Sequence, residues 1–77
     1  MKRSVLLGHL AQVERHIRDG ERHLLIQRRI VDELELHGRG NSQTANIARD
    51  LLASFEMSQS AHRNDRVHLL QALREIT

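Results

Sequence analysis

Proline, cysteine, tryptophan and tyrosine are all absent from this 77-residue chain, and Phe55 is its only phenylalanine. Without proline, nothing forces a helix to kink or stop. The lack of cysteine excludes a disulfide framework and a thiolate metal site, and it fits a reducing compartment. So few aromatic residues argue against strands and against a stacking platform for single-stranded nucleic acid. Long hydrophobic runs are missing too. No stretch approaches the roughly 20 apolar residues of a membrane span. Near the N-terminus, Val5-Leu6-Leu7 is too short for a signal-peptide core. These features predict a cytoplasmic protein with no membrane contact.

Lysine is nearly absent. Of twelve basic residues Lys2 is the only lysine, which leaves eleven arginines against ten acids, for a net charge of +2. The acids are interleaved with the arginines, so no large field of one sign is expected. A nucleic-acid reader normally concentrates its basic charge on one face.

What the chain does have is heptad order. Alternate steps of four and three from Leu6 reach Leu10, Val13, Ile17, Gly20, Leu24, Gln27, Val31 and Leu34. The same steps from Ala48 reach Leu52, Phe55, Gln59, His62, Arg66, Leu69, Leu73 and Ile76. A 3.5-residue period turns one stripe of each helix toward a partner helix. Between the ladders, His37-Gly38-Arg39-Gly40-Asn41-Ser42 is the one strong turn signal. Gly38 stands where a left-handed residue would end the first helix. Asn41 or Ser42 would cap the second, and Ser4 the first.

The expected fold is therefore all-α: an antiparallel two-helix hairpin, coiled-coil-like, in a single domain over residues 1–77. Helix one covers about 4–37, the turn 38–42 and helix two about 43–76. Acid–base pairs four residues apart, Glu14–Arg18, Asp19–His23 and Glu33–His37, would add small support on exposed faces. A fold-back at Arg39-Gly40 sets Leu24 opposite Phe55, Ile17 opposite His62 and Leu10 opposite Leu69. Gly20 then falls opposite Gln59 and beside Phe55, where a missing side chain leaves room for the ring. Asp19-Gly20 is also a turn signal, so a three-helix bundle broken at Gly20 is the alternative.

A two-helix hairpin of this size is marginal on its own. Leu25, Ile26, Ile30, Val67 and Leu70 lie off the ladders and are the expected interface with a second copy or another protein, the copy completing a four-helix bundle. Gly20, Gln59, His62 and Arg66 form a polar stretch within the seam, expected to set register as buried polar residues do in coiled coils.

Six histidines invite a metal reading. His9, His16, His23 and His37 share one heptad position, but a spacing of seven residues is two turns, about 10 Å of rise. Zinc ligands must converge to about 2 Å from the ion, and His-x-x-x-His does not occur, so no metal site and no cofactor are expected. No serine has a base at suitable spacing, so the chain reads as no enzyme. Arg15, Arg22 and Arg29 make a heptad stripe that would grip phosphates if the chain bound nucleic acid. Glu14, Asp19, Glu21 and Asp32 beside it favour a solvated face.

The run His9-Leu10-Ala11-Gln12-Val13-Glu14-Arg15-His16-Ile17-Arg18-Asp19-Gly20-Glu21-Arg22-His23 resembles short bacterial helical-hairpin proteins with no assigned activity. The likeness continues at Ala48-Arg49-Asp50-Leu51-Leu52, Phe55-Glu56 and His62-Arg63-Asn64-Asp65-Arg66. It implies a small intracellular helical protein and transfers no functional residue. Sequence therefore points to a protein–protein interaction or regulatory adaptor module, with a small nucleic-acid-associated protein as the alternative.

Overall fold

The computed structural model describes residues 2–76 and contains two helices, α1 (Arg3–Leu36) and α2 (Gln43–Glu75). They pack antiparallel into a rod of 56 × 14 × 13 Å. α1 runs unbroken through Asp19-Gly20, so the three-helix alternative does not occur. Its heptad phase is continuous on both sides of Gly20, and an inserted turn would have thrown one half of the ladder out of the seam.

The turn follows from its glycines and Ser42. Gly38 takes φ +73°, the left-handed region. Its N–H donates to Glu35 O at 3.2 Å, and Arg39 N–H donates to Leu34 O at 2.8 Å. This pair of bonds is the Schellman motif, which occupies carbonyls that a helix end leaves without partners. Ser42 Oγ accepts from Ala45 N–H at 3.1 Å and donates to Arg39 O at 2.7 Å, so one hydroxyl caps α2 and ties it to the turn. Ser4 does not cap α1. The N-cap is Lys2, whose carbonyl accepts from Val5 and Leu6 while its side chain makes no capping bond. This end is exposed, so water can serve its free amides and no side chain is required.

The core is thin. Among the described residues its buried apolar side chains are Leu6, Ile17, Leu24, Val31, Ala45 and Ala48, all on the two ladders or their continuation. Two glutamines are buried with them, Gln27 and Gln59. Each donates from Nε2 to a backbone carbonyl of the other helix: Gln27 to Ala48 O at 2.8 Å, Gln59 to Ile17 O at 2.7 Å. A buried amide without a partner would be costly, so these bonds hold the helices at one axial setting.

Candidate interaction surface

In heptad terms Leu24 and Gln59 are at a, with Gln27 and Phe55 at d. An antiparallel pair then sets e against e and g against g, which gives the rod two different flanks. On the e flank the contacts between helices are ionic. Arg49 Nε lies 3.4 Å from Glu35 Oε1 and Arg63 Nη2 lies 3.9 Å from Glu21 Oε1. Arg49 also donates to Asn46 Oδ1 at 3.0 Å and to Gly40 O, so it clamps the turn onto both helices. None of the expected pairs within a helix closes as an ion pair among the described residues. Pairs of that kind on open surface contribute only a few tenths of a kcal/mol and fix no geometry.

The g flank is different. Its contacts between helices are ring contacts: His16 to His62, centroids 5.0 Å apart, and His23 to Phe55 at 5.7 Å. Within the helices neither lysine nor arginine occupies a c or g position. On α2 the c and g residues from Thr44 to Ala61 are Thr44, Ile47, Leu51, Ser54, Ser58 and Ala61, with no charge among them. Ile26 (49% exposed), Ile30 (42%), Ile47 (54%) and Leu51 (46%) stand here as one apolar patch across both helices. Shallow grooves follow the same side, one along His16, His23, Phe55 and His62, another along Ile30, Glu33, His37 and Arg39.

The five residues expected at the interface do not come together. Ile26 and Ile30 belong to the g-flank patch. Leu25, at b, looks to the other side, although it adjoins Ile26 in sequence. Val67 and Leu70, at b and e, are also on that other side, and they stand roughly 20 Å further along the rod from Leu25 at 1.5 Å per residue. Sequence reasoning left out Ile47 and Leu51, which the fold sets beside Ile26 and Ile30. Their signal was present in the uncharged c and g positions of α2, but it shows only once both helices are read in one register.

The polar stretch of the seam divides as well. Gln59 is 2% exposed, and its Oε1 and Cδ occupy the place where a side chain at Gly20 would project. Gly20 therefore makes room for an amide and not for the ring of Phe55. The ring of Phe55 lies against His23 instead, and Gln59, opposite Gly20 as the ladders place it, reaches on to Ile17 O. His62 is half-buried against His16, where Ile17 was expected, and Arg66 is half-buried. Gln27 performs the same task as Gln59 and belongs with it.

Arg15, Arg22 and Arg29 are at f, on the side of α1 turned away from α2, and all three are exposed. Among the described residues no cluster of three or more histidine or acid side chains is arranged to hold a metal ion, and no helix is long and apolar enough to cross a membrane. The chain matches no family model, no curated protein and no solved structure.

Proposed function

We propose that this chain is a helical interaction module, a small adaptor or regulator of the bacterial cytoplasm, which acts by docking its g flank on another helical surface, first of all that of a second copy. One observation carries the reading. Four large aliphatic side chains, Ile26, Ile30, Ile47 and Leu51, are each more than 40% exposed on a flank whose α2 half bears no charge from Thr44 to Ala61. Exposed apolar patches of this kind mark interaction sites. A single layer of two helices has no other way to cover them, and a four-helix bundle supplies the second layer. The test is sedimentation equilibrium at micromolar concentration. Wild type is expected at dimer mass and Leu51→Glu at monomer mass with its helical circular dichroism retained. A wild-type monomer under those conditions overturns self-association.

Nucleic-acid binding is the second reading. It is favoured by Arg15, Arg18, Arg22 and Arg29, which lie exposed on α1 and take part in no ion pair among the described residues. It requires binding to a DNA or RNA duplex that falls steeply with salt, since phosphate contacts release counterions.

A further inference from the structure

The g flank is built to pair with itself in one orientation. We infer that two copies associate face to face across it in antiparallel fashion, turns at opposite ends, about a two-fold axis at the level of residue 28. This rests on the self-association proposed above and goes on to name its geometry.

The axis is located by the apolar patch. Ile26 and Ile30 are centred on residue 28 of α1. Ile47 and Leu51 are centred on residue 49 of α2. The ring contacts His16–His62 and His23–Phe55 put that residue at the same height on the rod as residue 28 or 29 of α1. Both halves of the patch thus share one centre. A two-fold axis through it, lying across the rod, sets α1 over α1 and α2 over α2 of the second copy. Ile26 then faces the second copy's Ile30, and Ile47 faces its Leu51, each contact occurring twice as an isologous interface requires.

The charged groups on this flank choose between orientations. Within the overlap α1 presents Asp19, His23, Glu33 and His37, with His16 at its edge. Asp19 and His37 stand nine residues either side of the centre, about 14 Å in each direction at 1.5 Å per residue. His23 and Glu33 stand five residues either side, about 8 Å. Rotation about the axis brings Asp19 of one copy to His37 of the other, where Arg39 lines the same groove. It brings His23 to Glu33. Each acid of the overlap meets an imidazole able to donate a hydrogen bond, Arg39 adds a permanent charge beside Asp19, and no two acids face one another. In the parallel arrangement α1 would lie over α2, and Asp19 and Glu33 would face the uncharged Ser58 and Thr44 region with no partner at all. Electrostatic complementarity sets register and orientation at interfaces, and only the antiparallel pairing has it.

Absence of cysteine makes the test clean. Asp19 and His37 are both exposed, so a cysteine at either site leaves the hairpin core intact. Asp19→Cys and His37→Cys chains, mixed and oxidised with oxidised glutathione, are expected to give the mixed disulfide dimer in preference to either homodimer. Separately, Asp19→Arg and Arg39→Asp are each expected to weaken the dimer roughly fivefold to tenfold, and the double variant to recover most of the loss. Should wild type sediment as a dimer but the Asp19→Cys chain cross-link to a Ser58→Cys chain and not to a His37→Cys chain, the antiparallel geometry is overturned while self-association stands. A wild-type monomer overturns both.

Discussion

Gln59 fills the volume that a side chain at Gly20 would need. Its carbonyl oxygen lies inside contact distance of that position, with Cδ 2.8 Å from it, while Nε2 donates to Ile17 O at 2.7 Å. A glycine in mid-helix normally costs about 1 kcal/mol against alanine. Here it is the condition for a hydrogen bond between the helices.

Gly20→Ala is therefore expected to destabilise the hairpin by about 1–3 kcal/mol, because the new methyl evicts the Gln59 amide. Gly8→Ala is the control: nothing lies within 4 Å of that site, so the change should stabilise by up to about 1 kcal/mol. Urea denaturation at one fixed protein concentration measures both. In a double-mutant cycle, Gly20→Ala should cost much less in a Gln59→Ala background. A neutral Gly20→Ala in the wild-type background would mean that Gln59 is not held there.

The two buried glutamines should respond differently to replacement by leucine. Gln27→Leu removes a bond to Ala48 O and is expected to cost about 1 kcal/mol. Gln59→Leu loses the bond to Ile17 O but also removes a buried oxygen, Oε1, that has no hydrogen-bond partner among the described residues. Deleting an unsatisfied buried acceptor offsets the loss, so the denaturation midpoint should move less for Gln59→Leu than for Gln27→Leu. Equal shifts would show that the orphaned oxygen carries no penalty.

Arg49→Ala should loosen the turn. The guanidinium joins Glu35, Asn46 and Gly40 O, yet it is 39% exposed, so solvent screening limits the loss to about 1 kcal/mol. Arg63→Ala breaks a single exposed contact of 3.9 Å and should change stability by less than about 0.5 kcal/mol. Amide hydrogen exchange read at Gly40 to Asn46 is expected to quicken for Arg49→Ala only. Unchanged protection there would remove the clamp.

Leu25 and Ile26 are neighbours in sequence on opposite flanks of the rod. Ile26→Glu is expected to shift the dimer toward monomer by at least about tenfold in dissociation constant, a change near 1.4 kcal/mol. Leu25→Glu, like Val67→Glu, should leave it within about threefold of wild type. Concentration-dependent sedimentation distinguishes them. A larger effect at Leu25 would move the interface to the e flank.

Sequence alone determined a great deal of this fold. Heptad ladders, the absence of proline and the turn signal at His37–Ser42 predict two helices at 4–37 and 43–76, against Arg3–Leu36 and Gln43–Glu75 observed. Periodicity is a local property, and the left-handed glycine and the serine cap are written in single residues, so both could be read directly. What only the tertiary structure decided was which side chains meet. Counting along the ladders sets Gln59 opposite Gly20, but it does not show that the amide of Gln59 takes the space there and bonds to Ile17 O while the ring of Phe55 packs on His23; that depends on which side chain fits and finds a partner. The patch of Ile26, Ile30, Ile47 and Leu51 likewise joins residues from two helices. It exists only once the hydrogen bonds of Gln27 and Gln59 set the axial register, for a one-dimensional pattern has no flank until a second helix gives it one.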